Sequence, residues 1–186
     1  MKNKTLILLL LSGMLTSCVA FVVAGAAGMV VYDRRNVTTI ESDARIFYVV
    51  NKTIVSDPRF RDSHIVVSSF NQVVLLAGQT PTASLRVLAE KIAQKTPNVI
   101  RVYNEITIGQ PTSLTQRSKD SWITGQVRAK MLTKKGLESG SIRVVTENAV
   151  VYLLGIATHE QASLAVDVAR QVNGVSKVVK VFRYIS

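Results

Sequence analysis

The chain has 186 residues, of which 47% are hydrophobic, and its 23 Lys or Arg against 12 Asp or Glu give a formal net charge of +11. Its single cysteine excludes an intrachain disulfide, and its length is sufficient for two small domains. The positive charge indicates an anionic partner such as nucleic acid, anionic lipid or an acidic protein, although a solvated basic surface would give the same composition.

The N-terminus has the features of an export signal. Lys2 and Lys4 precede an apolar run, and the segment ends Leu15-Thr16-Ser17-Cys18. This ending resembles the bacterial lipobox, in which the cysteine is lipidated and becomes the new N-terminus. We therefore expect residues 1–17 to be a lipoprotein signal peptide and Cys18 to carry the lipid. Because Val19 rather than aspartate follows, enterobacterial-type sorting would deliver the protein to the outer membrane.

The uncharged residues 19–32 leave a second interpretation open. Joined to the signal core, they exceed the roughly 20 residues that a helix needs to cross a bilayer. An uncleaved transmembrane anchor is therefore the alternative. In the lipobox interpretation, residues 18–39 form a lipidated N-terminus followed by an apolar and then polar tether.

Residues 40–109 and 114–186 repeat one another. At an offset of 77 residues Asp43 matches Asp120 and Gly78 matches Gly155, and the apolar positions between them coincide. A tandem duplication predicts two domains of one fold, here joined by a linker at 110–113.

Each repeat has the pattern helix, strand, strand, helix, strand. The first helices are expected to begin near Asp43 and Asp120, where a carboxylate suits the positive end of the helix dipole. Their core-facing residues at helical spacing are Ile46, Val49, Val50 and Ile54 in the first repeat and Ile123, Val127 and Met131 in the second.

The remaining elements are a hairpin, a second helix and a final strand. The hairpin turns are predicted at 71–72 and 147–148, with Gly78 and Gly155 closing the second strands. Thr80 and Thr158 are predicted to cap the second helices. The final strands are expected at 99–108 and 175–185. The predicted fold class is α+β, with a three-stranded mixed sheet and two helices on one of its faces in each repeat.

The two repeats differ most where the second carries Trp122. The equivalent residue of the first repeat is Arg45, which indicates that this position faces water. Trp122 is therefore predicted to expose a large aromatic surface. The alternative is that it is buried in the core or between the domains.

Charge is also shared unequally. Residues 40–109 hold eight basic and six acidic residues, a net +2, whereas residues 114–186 hold eleven and five, a net +6. Six of the eleven cluster around the first helix of the second repeat: Arg117, Lys119, Arg128, Lys130, Lys134 and Lys135. Because an exported protein rarely meets nucleic acid, this cluster favours phospholipid headgroups.

These features together resemble a known family. The element order, the Gly174-Val175 turn into the last strand and the alanine-rich second helix resemble the BON domain. The whole chain resembles the outer-membrane lipoproteins with two BON domains, most closely at 102–106, 109–111 and 120–124. Asn98 departs from the pattern, since it occupies the position that Gly174 fills in the second repeat.

The resemblance implies a non-enzymatic periplasmic lipoprotein that supports outer-membrane integrity and concentrates at division sites. It also implies binding of anionic phospholipid, chiefly phosphatidylglycerol, by the first helix of the second domain. The residues predicted to form that surface are Trp122, Lys119, Ile123, Gln126, Arg128, Lys130, Leu132, Lys134, Lys135 and Leu137.

Nothing in the sequence indicates catalysis. The two histidines, His64 and His159, are predicted to be solvent-facing loop or cap residues, and no cofactor, metal site or nucleic-acid motif is expected. The remaining alternative is a structural or regulatory adaptor that binds an envelope protein, with the basic helix merely solvated.

Overall fold

The computed structural model describes residues 33–186, and Tyr32–Ser186 form one compact unit. The first repeat consists of α1 (Val37–Ser56), a 3-10 turn (Pro58–Phe60), β1 (His64–Phe70), β2 (Val73–Thr80), α2 (Ala83–Gln94) and β3 (Arg101–Ile108). The second consists of α3 (Leu114–Thr133), a 3-10 turn (Ser139–Ser141), β4 (Ile142–Glu147), β5 (Val150–Ala157), α4 (His159–Arg170) and β6 (Lys177–Tyr184). The predicted α+β order is confirmed in both repeats. Within the described part of the chain, no helix is long and apolar enough to span a bilayer.

Each repeat forms a three-stranded mixed sheet. The hairpin strands β1 and β2 pair antiparallel, with His64 opposite Gln79, and β3 joins β2 in parallel after the α2 crossover. The second repeat has the same arrangement, with β5 in the centre. The central strand of each sheet therefore has both edges paired.

The central strands are apolar on both faces, and the two faces serve different cores. In β2, Val74 and Leu76 pack under α1 and α2, whereas Leu75 belongs to a cluster that also contains Tyr152 and Leu154 of β5. Alternate residues of a strand point to opposite faces, so the helix-free faces of the two sheets must pack against each other. The result is a four-layer helix–sheet–sheet–helix sandwich in which the two domains share a third core.

The first helices begin earlier than predicted. Helix α1 begins at Val37, and Asn36 caps it by accepting a 2.8 Å hydrogen bond from the Thr39 N–H. Helix α3 begins at Leu114 with Ser113 as its cap. Asp43 and Asp120 thus lie inside their helices, and the predicted role at the helix dipole is wrong.

Both aspartates are buried and hold the hairpin turns. Asp43 accepts 2.7 Å hydrogen bonds from the N–H groups of Asn71 and Gln72, which have positive φ. Asp120 does the same for Asn148 and Ala149. The first predicted turn is confirmed. The second lies one residue later than predicted, because Glu147 still belongs to β4.

Three smaller predictions also change. Thr82 rather than Thr80 caps α2, since Thr80 ends β2 and is fully buried. Val49 is 38% exposed and lies outside the core stripe. Gly78 lies within β2, where a Cβ would clash with the His64 carbonyl oxygen. By contrast, Thr158 is confirmed as the cap of α4.

Candidate functional site

Trp122 lies on the outer face of α3. The inner face of this helix buries Ile123, Val127 and Met131 in the core of the second repeat, and the indole is 54% exposed on the other side. The equivalent Arg45 side chain of α1 is 72% exposed. The predicted exposure of this position is confirmed, and Trp122 is absent from the core shared between the domains.

Two exposed leucines extend the apolar surface along α3. Leu114 is 77% exposed and Leu132 is 45% exposed. They are separated by five helical turns and therefore lie on the same side of the helix, with Trp122 between them along the axis. Leu114 was missed in the sequence because the helix was expected to begin after it.

Gly125 lies on the exposed side of α3, three residues after Trp122. A glycine inside a helix costs roughly 1 kcal/mol relative to alanine. A Cβ on Gly125 would have no atom within 4 Å, so packing gives no reason for the glycine. The space beside the indole is thus open.

The lysines of the predicted site are exposed, whereas the Arg128 side chain points towards β4. Lys119 lies one turn before Trp122 on the same face. Lys130 reaches towards the carbonyl of Gln171 at 3.4 Å, and Arg128 donates to the carbonyl of Val144 at 2.9 Å. Arg128 therefore borders a groove beside β4 rather than the Trp122 face.

Two residues of the predicted site do not belong to the surface. Ile123 is 2% exposed and packs against Gly174, so its assignment as a lipid contact is wrong. Leu137 is partly buried against the same core. The surface that remains, called here the α3 surface, consists of Leu114, Lys119, Trp122, Gln126, Lys130, Leu132, Lys134 and Lys135. Gln126 is half-buried, and the other seven residues are exposed.

A buried carboxylate connects the two domains. Glu147 accepts hydrogen bonds from the Gln79 amide at 2.9 Å and from the Thr112 hydroxyl at 3.2 Å, and His64 Nε2 lies 3.3 Å from its other oxygen. The prediction that His64 faces solvent is therefore wrong. His159 is exposed as predicted and stacks on Tyr184 with ring centroids 4.1 Å apart.

The segment before α1 also packs on both domains. Arg34 makes a bidentate pair with Glu138 of the second repeat at 2.7 and 2.9 Å. Arg35 pairs with Asp43 at 2.9 Å and lies 3.8 Å above the Phe70 ring. The polar end of the predicted tether is therefore part of the folded unit. Cys18 and the apolar residues 19–32 lie outside the described residues.

The described residues were also compared with the side-chain groups that bind metal ions. In residues 33–186, no group of three His, Cys, Asp or Glu side chains is placed to hold a metal ion.

Comparison with known proteins establishes the family. The BON domain family model matches residues 42–110 and again residues 119–186. The chain belongs to the BON-domain family, in the class of outer-membrane lipoproteins that carry two such domains. This membership places it at the outer membrane as a lipid-anchored protein.

Particular relatives agree with this assignment. The chain is 36% identical to the outer membrane lipoprotein DolP of Haemophilus influenzae over 98% of its own length and 96% of the relative's. It is 40% identical to the 21 kDa hemolysin of Actinobacillus pleuropneumoniae over 67% of its own length and 64% of that protein's. Among solved structures, the CdsD protein of the Chlamydia trachomatis type III secretion system aligns with a TM-score of 0.31 at 12% identity, covering 77% of this chain and 63% of that one; this similarity is too low to carry an argument.

Proposed function

We propose that this lipoprotein binds anionic phospholipid of the phosphatidylglycerol type through the α3 surface, without catalysing a reaction. In this way it supports the integrity of the outer membrane from its periplasmic face, including at division sites. The observation that carries the proposal is Trp122, which is 54% exposed on a helix whose opposite face is core.

The chemistry of the α3 surface suits a headgroup region. An indole has an apolar body and a polar N–H, so it is stable at the boundary between acyl chains and headgroups. Leu114 and Leu132 add apolar area on either side of it. An indole that is more than half exposed, on a helix that also exposes two leucines, supports a binding surface here.

The lysines provide selectivity for anionic lipid. Each Lys or Arg near an anionic membrane contributes about 1 kcal/mol, and salt weakens this attraction. Lys119, Lys130, Lys134 and Lys135 surround the apolar residues and are exposed. A single acyl chain holds a protein only weakly, so a lipid on Cys18 together with this surface would supply the two signals that stable attachment needs.

Sedimentation with vesicles tests the proposal. A fragment beginning at Tyr32 contains the whole compact unit and its three apolar clusters. It should sediment with vesicles that contain phosphatidylglycerol, less so as salt rises, and not with phosphatidylcholine vesicles. Trp122→Glu should abolish this binding while the fold is kept. The matched control is Tyr48→Glu, which alters a 60% exposed aromatic residue on the first helix of the other repeat.

A specific observation favours a second function, that of an adaptor. Helix α1 exposes a line of apolar residues on the opposite outer layer from Trp122: Val37, Ile40, Phe47, Tyr48 and Val55. An envelope protein could dock on this side while the α3 surface faces the membrane. Failure of the fragment to bind either kind of vesicle would leave the adaptor as the function.

A further inference from the structure

A groove between the two domains runs along the flank of α3. Its volume is about 470 Å³, and its walls come from α3, β4 and the β1 strand of the first repeat. Arg117, Ser121, Thr124 and Arg128 all border it, at spacings of four, three and four residues. This spacing places them in one row along the helix, about 16 Å from first to last. Leu114 lies seven residues, about two turns, before Ser121 and on the same side of the helix, so the groove opens beside the α3 surface.

The two arginines of this row are positioned by neutral groups. Arg117 Nε donates to the carbonyl of Thr112 at 3.1 Å, and Arg128 Nη2 donates to that of Val144 at 2.9 Å. Across residues 33–186, neither guanidinium is within 4.0 Å of a carboxylate oxygen. Their remaining N–H groups are therefore oriented but not neutralised, which is the state in which arginine binds phosphate in a bidentate manner.

The carboxylates that border the groove are already engaged. Asp120 accepts the N–H groups of Asn148 and Ala149 and a 2.9 Å hydrogen bond from the Gln116 amide. Glu147 accepts from Gln79 and Thr112, as described above. Both are buried, so an anion in the groove would meet mainly the guanidinium groups.

Apolar residues also line the groove: Val66 of β1 and Val144 and Val145 of β4. A site that combines hydroxyl and guanidinium groups with apolar residues suits an amphiphile better than a bare inorganic ion. We infer that this groove binds the phosphodiester headgroup of a glycerophospholipid, which extends along the row with its phosphate at Arg128 and its terminal hydroxyls towards Arg117. This inference rests on the proposed function, since it names the part of the protein that reads the headgroup.

The test uses the full chain in dodecylmaltoside micelles and follows the arginine Nε–Hε resonances by NMR. The probes are dioctanoyl-phosphatidylglycerol, water-soluble glycerophosphoglycerol and inorganic phosphate. We expect saturable shifts of Arg117 and Arg128, strongest for the lipid and weakest for phosphate. Arg117→Gln combined with Arg128→Gln should weaken binding about tenfold or more, equivalent to roughly 1.4 kcal/mol.

The matched control is Lys130→Gln combined with Lys134→Gln, which removes two positive charges outside the groove. It should retain binding of glycerophosphoglycerol. Equal loss in both double variants would overturn the inference, because binding would then follow net charge alone. Phosphate binding as tightly as the lipid would overturn it too, since the site would be one for free phosphate.

Two further variants separate this inference from the proposed function. Ser121→Trp fills the groove from an exposed helix position without changing either arginine, and it should block glycerophosphoglycerol even if the arginine variants do not fold. Trp122→Glu should lose vesicle binding but keep glycerophosphoglycerol binding. Absence of glycerophosphoglycerol binding therefore contradicts the groove alone, and vesicle binding by Trp122→Glu contradicts the α3 surface alone.

Discussion

Asp43 and Asp120 occupy the same place in the two repeats, and each binds the turn of its own hairpin. The two backbone N–H groups that each accepts belong to residues with positive φ, at distances of 2.7 to 2.9 Å. The carboxylate thereby fixes the first helix of each domain to the tip of its β-hairpin. In the second repeat the same bonds hold α3, and with it Trp122, at a defined angle to the sheet.

Removal of this carboxylate should destabilise the fold. Asp120→Ala leaves two part-buried N–H groups without an acceptor, at about 1–3 kcal/mol each. We expect the free energy of unfolding in urea to fall by about 3 kcal/mol. Asp167→Ala removes an exposed carboxylate from α4 and should change it by less than about 0.5 kcal/mol. Equal effects of the two variants would contradict the proposed role of Asp120.

Gly78 tests the close approach of the hairpin strands. Its φ of +128° is strained for any other residue, and the His64 carbonyl oxygen occupies the space that a side chain would need. Gly78→Ala should therefore lower the melting temperature substantially, with a cost of about 3 kcal/mol or more. Gly109→Ala has open space around it and serves as the control. A Gly78→Ala protein that melts like the wild type would show that the strands separate easily.

The shared core can be tested with two neighbouring leucines. Leu153 and Leu154 are both fully buried, but Leu153 packs within the second repeat and Leu154 packs between the sheets. Truncation of either to alanine should cost about 2–5 kcal/mol. Only Leu154→Ala should also shift the NMR resonances of Leu75 and Ala77 in the first repeat. Equal perturbation of these resonances by Leu153→Ala would argue against a separate core between the sheets.

The shared core also predicts a loss of stability at alkaline pH. Burial of the ring, with the carboxylates of Glu105 and Glu147 nearby, raises the pKa of Tyr152 to about 12. An unfolded tyrosine ionises near pH 10, so the unfolded chain loses its proton first. The stabilising contribution is thus complete below pH 10 and is lost as the pH rises towards 12.

Tyr152→Phe tests this alkaline contribution. The variant keeps the ring and removes the ionisable hydroxyl, so its unfolding free energy should fall less steeply than that of the wild type between pH 10 and 12. Tyr48→Phe controls for removal of a surface hydroxyl. A Tyr152→Phe profile that overlays the wild type would contradict the assignment.

Much of the fold could be predicted from the duplication. Matching residues such as Asp43 and Asp120 gave the repeat boundaries, and the hairpin at Asn71-Gln72 followed from its turn residues. The helix starts were wrong because Asp43 and Asp120 were interpreted as first-turn residues, although Asn36 and Ser113 precede the helices and cap them. Asn98 occupies the position of Gly174 in the first repeat and has the same left-handed conformation, with φ of +67°. Asparagine tolerates this region better than most residues.

The relation between the domains could not be predicted in the same way. The continuous apolar run of residues 73–77 was consistent with a strand buried on both faces, which is the signal for a second layer. Sequence alone did not show that the layer is the other repeat. The exposure of Trp122 was predicted correctly, but Ile123 was assigned to the same surface although it is buried, because adjacent residues of a helix do not face the same side. The groove depends on the directions of Arg117 and Arg128, which only the packed structure defines.

The most direct test of the central claim uses the fluorescence of Trp122, the single tryptophan of the chain. If the α3 surface enters the headgroup region, phosphatidylglycerol vesicles should shift its emission to shorter wavelength, and lipids with a quencher near the headgroup should quench it. Phosphatidylcholine vesicles should do neither. Unchanged emission from protein that sediments with phosphatidylglycerol vesicles would contradict the account, because the membrane would then be bound by another surface.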